Sequence, residues 1–400
     1  MNCTQLQRII KYLIVGIILL SFYSCTEKAS KQSETLENKM ELVVYDSIDL
    51  PDLGLINISD YNANTNSFLG FLGNTIVEFN NNGHFSHMNK YGHGPEEYSF
   101  QDKYNVNVKY YNDTIICTNV YNYLKFFNKD GEIYKQFKID DKEFDFKRKI
   151  LGTRLHDTNK FVFNGFLEFD YDVFDEVTMY NRSNIYRFFT FSEKTKEIKQ
   201  YGKFEKENLI RKRQKIYSSL NPKVVFNKKL DCIDILYSAE PKIFRYNLNT
   251  PDKITTVSLN PSYFSEMIFR TYDFYDSKYQ KRDRRDFIRS SFYYDLYSAE
   301  DTVITIYRPG VDEATIDREL VDNPSNMDYH HFYVKNFNKY IDFYVNGKKQ
   351  MSDIKLPHGY NPVYIGDSHH ILLIKPSQEI TKGNKAIRRF YFAKLLSEQS

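Results

Sequence analysis

The pattern of apolar and polar positions along the chain is one of short apolar runs separated by polar turns. Two segments can be laid over each other 48 positions apart, Asn74–Phe85 (NTIVEFNNNGHF) and Asn122–Ile133 (NYLKFFNKDGEI). In each, an apolar run ends in an aromatic residue, and apolar positions resume after a polar turn with glycine. The dipeptides Asn82-Gly83 and Asp130-Gly131 predict type I′ hairpin turns, in which both turn residues need φ > 0.

This hairpin is part of a longer repeat. A further apolar run precedes each copy, at Asn66–Gly73 and Asp113–Val120, so that each unit contains several short strands. A period near 48 residues with several strands per unit is in the range of β-propeller blades. Looser copies follow at Asn159–Leu167 with Ile185–Tyr201, Asp231–Leu259, Asp301–Tyr307 with Asp328–Lys349, and His369–Pro376 with Ala386–Leu396.

The repeats predict an all-β fold, a β-propeller of six blades. A count of seven stays open, in which strands before Asp60, such as residues 39–50 (KMELVVYDSIDL), complete a blade with the C-terminus. The later units are irregularly spaced, and the largest insertion runs over residues 261–297. Its middle, residues 279–296, predicts a helix packed on the rim of the propeller.

The N-terminus carries a different pattern. Arg8 and Lys11 come before the apolar run of residues 12–20 (YLIVGIILL), which is shorter than the roughly 20 residues that span a bilayer. A small serine directly before Cys25 resembles a lipobox, the cleavage site of lipoprotein signal peptidase, although Phe22 stands where leucine is commonest. We therefore expect a lipidated Cys25. An uncleaved anchor and an ordinary signal peptide are the alternatives.

The expected domain organisation follows from these signals. Residues 1–24 form a lipoprotein signal peptide, and residues 25–39 form a flexible tether, because they are polar and contain no aromatic residue. Residues 40–400 form the propeller domain.

Composition supports this assignment and narrows the partners. Tyrosine (34) and phenylalanine (32) are abundant, which suits half-buried strands. The chain has 55 basic and 52 acidic residues, a net charge of +3, and this balance argues against nucleic-acid binding. Cys117 and Cys232 lie inside apolar runs, so we expect buried thiols rather than a disulfide.

One loop carries a resemblance. The segment after the first hairpin, GHGPEEY, is similar to the G-x-G-P-G-E-[YF] element of six-bladed β-propeller lipoproteins of Bacteroidetes, whose first blades are NHL-like and which belong with TolB-like propellers. Glu96 stands in place of the third glycine. The resemblance implies the fold and an outer-membrane setting, and it brings no reaction and no catalytic residues. The candidate loop consists of Gly92, His93, Gly94, Pro95, Glu96, Glu97 and Tyr98.

This loop is either a ligand contact or a structural connection between blades, and the second interpretation is favoured. Histidines also cluster at three places, and closure of the propeller would bring the first and last blades together into a composite site. Adjacent histidines in a strand point to opposite faces, however, so we expect no metal site and no cofactor. The histidines are His84, His87, His93, His330, His331, His369 and His370.

Basic and aromatic runs are the remaining candidates. Arg211–Lys215 and Lys281–Arg285 could attract anionic glycans, lipid headgroups or an acidic partner, but solvated helix faces explain them more simply. Tyr272–Tyr275 and Phe292–Tyr294 could stack on sugars, but packing between blades is the simpler interpretation. The chain has no tryptophan, which weakens the carbohydrate interpretation.

Common enzyme motifs, such as a nucleophile elbow, a zincin helix or a Walker loop, do not occur. The sequence therefore favours a lipid-anchored binding or scaffold module in the cell envelope, at the outer membrane and facing either the periplasm or the surface. Its partner would be a glycan, a peptide or a protein. The alternative is a propeller enzyme, a lyase or hydrolase, with one residue from each of several blades at the channel mouth. A subunit of a membrane complex is a third possibility.

Overall fold

The strands of the protein assemble into small antiparallel sheets that follow one another along the chain. The computed structural model describes residues 40–397, apart from residues 52–55, 73–74, 89–107, 113–114, 121–122, 129, 140–149, 155–156, 165–187, 202–221, 251–252, 266–283, 321–323, 376–379 and 383–384. Residues 41–396 belong to one compact unit. No helix in this described part of the chain is both long and apolar enough to cross a bilayer.

Five sheets have four strands each, and the strands of each sheet are paired in chain order. The N-terminal strand β1 (Met40–Pro51) lies outside these five sheets. Sheet 1 contains β2 (Ile56–Asn62), β3 (Ser67–Leu72), β4 (Thr75–Phe79) and β5 (Phe85–Met88). Sheet 2 contains β6 (Val108–Asn112), β7 (Ile115–Val120), β8 (Tyr123–Phe127) and β9 (Ile133–Lys138). Sheet 3 contains β10 (Ile150–Arg154), β11 (Asp157–Phe163), β12 (Phe188–Ser192) and β13 (Ile198–Tyr201).

The other two four-stranded sheets follow the same rule. Sheet 4 contains β14 (Lys223–Asn227), β15 (Cys232–Leu236), β16 (Lys242–Asn247) and β17 (Ile254–Ser258). Sheet 5 contains β18 (Phe292–Ala299), β19 (Thr302–Arg308), β20 (Tyr340–Val345) and β21 (Lys348–Lys355).

The last sheet, called the closing sheet, joins the two ends of the domain. It pairs β22 (Asn361–Ile365), β23 (Ile371–Ile374) and β25 (Lys385–Ser397) with β1, and β24 (Ile380–Lys382) pairs with β25. The ion pair of Arg389 with Asp49 and the contact of Lys394 with the Tyr45 ring show that β1 runs antiparallel to β25. The strand predicted at residues 39–50 therefore pairs with the C-terminal strand, but it completes this sheet and not a further one.

The sheets are arranged as the blades of a β-propeller, which confirms the predicted fold class. First strands of successive sheets contact each other: β2 with β6, β6 with β10, β10 with β14, β14 with β18, and β22 with β2. Tyr297 of β18 contacts Tyr364 of β22 at a ring distance of 5.3 Å. The first strands therefore follow one another around a common axis, as the inner strands of a propeller do.

Middle strands are buried on both faces because each sheet packs between two neighbours. Every residue of β3 and β4 is buried, whereas the outer strand β9 alternates between exposed and half-buried positions. Phenylalanines fill the junction of the closing sheet with sheet 1, where Phe79 lies 5.3 Å from Phe390 between ring centres. Continuous apolar runs in the sequence are therefore the middle strands.

The predicted hairpins are confirmed, but their predicted turn type is wrong. Gly83 and Gly131 have φ of +80° and +78°, and they are the left-handed residues of three-residue turns. Asn80 Oδ1 accepts hydrogen bonds from the backbone of Asn82 and His84, which explains why asparagine recurs at this position. A two-residue turn with both residues at positive φ occurs instead at Asn346-Gly347.

The predicted helix before sheet 5 is present but shorter than predicted. Residues 284–289 are helical, within the predicted insertion, but Phe292–Ala299 is the inner strand β18, so the insertion ends earlier than residue 297. Two more helices lie between β19 and β20: α1 (Glu313–Glu319) and α2 (Asn326–Asn336). The strand expected from residue 328 is therefore wrong. Ser325 and Asp328 form a reciprocal capping box that begins α2, and this local signal outweighs the β-rich composition.

Candidate functional site

The inner strands share an irregularity that positions polar side chains. A β-bulge interrupts β2, β6, β10, β18 and β22 where they pair with the second strand of their sheet, whereas β14 pairs without a shift. A bulge inserts one residue, bends the strand and re-aims the side chains beside it. Directly after the extra residue stand Asp60, Asn112, Gly152, Asp295 and Tyr364.

Glycine makes room for the bulge in sheet 1. A Cβ atom added to Gly70 would lie 2.4 Å from the carbonyl oxygen of Asn57 and 2.7 Å from the Cα atom of Ile58. Ile58 is paired with Gly70 directly before the shift. Because this approach involves backbone atoms, no side chain fits at position 70 while β2 keeps its path.

Ser59 and Asp60 tie β2 to the inner strand of sheet 2. Ser59 Oγ donates to the carbonyl of Val108 at 2.8 Å, and Asp60 Oδ2 accepts from the backbone N–H of Tyr110 at 2.8 Å. Lys109 Nζ donates to the carbonyl of Ser59 and lies 3.7 Å from Asp60 Oδ1. The bulge therefore satisfies edge groups of β6 and holds the Lys109 ammonium beside a carboxylate.

A second carboxylate lies on β18. Asp295 Oδ2 accepts from the Tyr297 hydroxyl at 2.8 Å, and Asp295 Oδ1 accepts from the Leu296 backbone at 3.0 Å. Burial raises the pKa of Tyr297 well above its ordinary value, and the charge of Asp295 raises it further. The phenol therefore stays protonated and orients the carboxylate.

Tyr364 of β22 packs against Tyr297, with 5.3 Å between the two ring centres. Burial raises the pKa of its phenol well above the ordinary value, and the charges of Asp60 and Asp295 both add to this effect. The phenol is therefore a permanent hydrogen-bond donor. We call Asp60, Lys109, Asp295, Tyr297 and Tyr364 the channel cluster. Its members come from sheets 1, 2 and 5 and the closing sheet.

The channel cluster is enclosed but keeps contact with solvent. Lys109, Asp295 and Tyr364 are half-buried, and Asp60 and Tyr297 are buried. Burial lowers the pKa of Lys109, Asp60 raises it, and the ammonium of Lys228, on the loop after β14, lowers it further. Carboxylate, phenol and ammonium groups thus lie on the inner strands of four sheets around the axis. Such a set can hold a polar ligand by hydrogen bonds from several sides.

A second polar cluster, the outer network, joins the strands of sheet 5 farther from the axis. Asp342 Oδ1 accepts from the backbone of Asp353 at 2.6 Å, and Asp342 Oδ2 accepts from the Tyr344 hydroxyl at 3.1 Å. Asp353 accepts from Tyr307 and lies 3.4 Å from the Lys349 ammonium. Burial raises the pKa of Asp342 to about 6. Because these carboxylates already have donors from the chain, the outer network fits a structural role.

The residues singled out from the sequence are spread over separate places. Cys25 and the loop Gly92–Tyr98 lie outside the described residues, so their predicted roles stay predictions. Cys232 is a free, buried thiol, as expected. Among the described residues, no three histidine, cysteine, aspartate or glutamate side chains gather as metal ligands would.

The described histidines lie in separate parts of the domain. His84 and His87 are exposed on the outer hairpin of sheet 1, and His330-His331 lie on helix α2. Closure does bring one histidine to the first sheet: the His370 ring lies 5.1 Å from the Tyr61 ring, with His370 Nδ1 2.9 Å from Asp367. At the junction of the closing sheet with sheet 1, the predicted composite site is therefore represented by one described histidine, His370.

The described residues of the basic and aromatic runs form ion pairs or pack within the fold. Arg285 pairs with Glu313 and Asp317 of α1, and residues 284–289 are helical, in agreement with a solvated helix face. Phe292 and Tyr293 are buried, as expected for packing between blades. Arg211–Lys215 and Tyr272–Tyr275 lie outside the described residues.

Sequence reasoning missed the channel cluster because each member stands alone in its segment. Four of the inner strands contribute one or two members each, in segments such as INISDYN and VKYYN, whose other polar residues suit strand edges or turns. One sequence pattern could have revealed these residues. It is a polar residue within the short first strand of a sheet, before the three strands that follow it.

Comparison with known proteins agrees with the geometry. A crystal structure of a DUF4221-family protein from Bacteroides vulgatus matches with a TM-score of 0.60 and 13% identity, covering 90% of this chain and 99% of that one. The fold is a β-propeller. No family model matches the chain, and no curated protein matches its sequence.

Two further solved structures are similar at lower scores. A protein from Bacteroides fragilis has a TM-score of 0.46 and 13% identity over 92% of this chain and 98% of its own. The WD40 domain of Pan2 from Neurospora crassa has a TM-score of 0.37 and 8% identity over 90% of this chain and 96% of its own.

Proposed function

We propose that this protein is a lipid-anchored envelope propeller that binds a small polar ligand, or the polar end of a glycan or peptide, at the channel cluster. The observation that carries the proposal is the placement of Asp60, Lys109, Asp295 and Tyr364 on the inner strands of four sheets. Asp60 lies 3.7 Å from Lys109, and Tyr297 joins Asp295 to Tyr364 by a hydrogen bond and a ring contact. Proteins place ligand contacts where several elements each contribute one polar group.

The proposed blade count is six. The five four-stranded sheets account for five blades, and the closing sheet is the sixth, with β1 as its outer strand. The inner-strand contacts run from β2 through β18 to β22 and back to β2, which supports a closed ring. Pairing the N-terminal strand with the C-terminal strand would resist opening of that ring.

The proposed location is the outer membrane, with the protein facing the periplasm or the surface. Support comes from the basic residues Arg8 and Lys11, the short apolar run of residues 12–20 and Cys25. Metabolic labelling with an alkyne-tagged palmitate tests this proposal. The tag should enter the wild type and not Cys25→Ser, and equal labelling of both would contradict lipidation at this residue.

Binding is tested by thermal shift on the purified full chain in mild detergent, against a panel of oligosaccharides and peptides. A ligand that binds only the folded state raises the midpoint by mass action. Asp295→Asn and Tyr364→Phe should lose the shift, and Asp130→Asn, on an exposed outer hairpin, should keep it. A shift that survives both channel substitutions would place the site elsewhere.

A propeller enzyme is the second candidate function, because the same cluster brings carboxylates beside phenols and an amine. Asp295 with Tyr297, and Asp60 with Lys109, are pairs that could accept and donate protons to a bound substrate. Mass-spectrometric detection of cleaved or eliminated product from a ligand found in the thermal screen distinguishes the two. Turnover abolished by Asp295→Asn would favour the enzyme.

A further inference from the structure

We propose that helix α2 carries a binding site for monovalent copper, formed by the thioether of Met327 and the imidazoles of His330 and His331. In a strand, the two neighbouring histidines would point to opposite faces, but the structure places both on a helix. Helix geometry therefore determines which side chains they meet. This site is separate from the channel cluster and goes beyond the function proposed for it.

The three side chains share one face at the start of α2. Met327 stands three positions before His330 and four before His331, and residues at these spacings are neighbours on a helix surface, with Cβ atoms about 5–6 Å apart. Side chains of a helix lean toward its N-terminus, so both imidazoles lean toward the turn that carries Met327. Around the helix axis, Met327 therefore lies between the two histidines.

The distance between the two imidazoles fits a shared metal ion. Their ring centres lie 6.2 Å apart. With metal–nitrogen bonds of about 2.0 Å, two imidazoles on one ion have ring centres at most about 6.3 Å apart, when the angle at the metal is wide. Monovalent copper accepts few ligands at wide angles, whereas zinc prefers a tetrahedron with narrower ones. The ring spacing therefore favours copper.

The three groups are accessible and unengaged. Met327 is 60% exposed, more than the other large apolar side chains that the structure describes, and both histidines are exposed. Among the described residues, no hydrogen bond or ion pair engages either imidazole. A metal would therefore displace only water from these ligands.

The helix that carries the ligands is fixed without a metal. Asp328 Oδ2 accepts hydrogen bonds from the backbone N–H and the hydroxyl of Ser325, at 2.8 Å and 2.7 Å. On the opposite face, Tyr329 and Phe332 are buried in a cluster with Ile316 of α1. Because the backbone is held on both sides, the ligands meet a metal with little ordering of the chain.

The donor set selects the class of metal. Calcium and magnesium need oxygen ligands, whereas thioether sulfur selects monovalent copper and imidazole suits copper as well. The carboxylate of Asp328 is engaged in the capping box, so the three donors are neutral. The ammonium of Lys335, one turn after His331, lies 3.0 Å from Glu319 Oε2, and this pair holds a competing cation toward α1.

The test is competition for copper between the full chain in mild detergent and the chelator bicinchoninate, with ascorbate to keep the copper monovalent. The wild type should take one equivalent more than the double variant Met327→Leu/His331→Gln. Each single substitution should weaken binding at that site at least about ten-fold. The control His84→Gln, which changes an exposed histidine on the outer hairpin of sheet 1, should bind as the wild type does.

X-ray absorption at the copper edge identifies the ligands at one equivalent of metal. We expect nitrogen and sulfur neighbours in the wild type and loss of the sulfur in Met327→Leu. Equal copper binding by the wild type and the double variant overturns the proposal, and so does a wild type that leaves all copper with the chelator. Binding that depends on His331 but not on Met327 also overturns it. Each of these results leaves the proposed channel site standing.

Discussion

Two clusters in this propeller are built from the same residue types, and their positions give them different roles. Both the channel cluster and the outer network combine aspartate, lysine and tyrosine. In the outer network, Asp342 is fully buried and accepts from the Asp353 backbone and the Tyr344 hydroxyl. In the channel cluster, Lys109, Asp295 and Tyr364 remain half-buried on the inner strands.

The comparison teaches that polar composition alone does not mark a binding site. A fully buried carboxylate such as Asp342 stabilises the fold, because removing it leaves its donors unsatisfied and away from water. Asp295 also accepts from the chain at both oxygens, but it is half-buried, so water or a ligand can reach it. Substitutions in the outer network should therefore cost stability, and substitutions in the channel cluster should cost binding.

The largest effect is expected from Asp342→Ala. It leaves the Asp353 N–H, the Tyr344 hydroxyl and the Lys349 ammonium without this acceptor inside the protein. The free energy of unfolding should fall by roughly 3–5 kcal/mol, the cost of breaking a buried charged network. Urea denaturation measures it, with Asp130→Ala on an exposed hairpin as the control. A loss of unfolding free energy below about 1 kcal/mol would contradict a structural role for the outer network.

A pH dependence sharpens the same contrast. Burial raises the pKa of Asp342 from 3.8 to about 6 in the folded protein. The protonated group therefore favours the folded state, and this stability is present below pH 4 and lost as the pH rises through 6. Relative to Asp342→Asn, the wild type should lose roughly 2 kcal/mol of unfolding free energy between pH 4 and pH 7. Denaturation at intervals of pH measures the difference, and parallel curves would contradict the assignment.

Gly70→Ala tests whether the bulge positions the channel cluster. The added Cβ would lie 2.4 Å from the Asn57 carbonyl, so β2 must shift, at a cost of about 1–3 kcal/mol. Ligand binding should fall as well, because Asp60 follows the bulge. Gly83→Ala is the control: its Cβ meets no atom within 4 Å, and only its φ of +80° costs energy. If Gly70→Ala binds the ligand as well as the wild type does, the bulge does not position the channel cluster for binding.

The smallest effect on stability is expected inside the channel cluster. Asp295→Asn keeps an acceptor for the Tyr297 hydroxyl, so the unfolding free energy should change by less than about 1 kcal/mol. Ligand affinity should nevertheless fall about ten-fold or more, since a charged acceptor becomes neutral. Paired thermal denaturation and titration of this variant measure both. A large loss of stability with unchanged affinity would reverse the comparison.

The sequence carries much of the fold because middle strands are buried on both faces. Runs such as SFLGFL and TIVEF are mostly apolar, and the asparagine and glycine of each hairpin have local roles that recur with the repeat. Helix α2 resembles a strand in sequence because Phe332, Tyr333 and Val334 follow one another, while its capping box is a pattern of only two residues, Ser325 and Asp328.

The candidate site could not be predicted in the same way. Asp60 lies far from Asp295 and Tyr364 along the chain, and only ring closure brings their strands together. Bulges shift the alternation of the inner strands by one residue, so the usual two-residue period does not reveal which side chain faces the axis.

The most direct test of the central claim is a lysine footprint by reductive methylation, read by mass spectrometry with and without a saturating amount of a ligand found in the thermal screen. The account predicts that the ligand protects Lys109, while Lys229, which is 54% exposed and paired with Glu300, is methylated equally in both samples. Protection of Lys335 on helix α2, with Lys109 unchanged, would contradict a binding site at the channel.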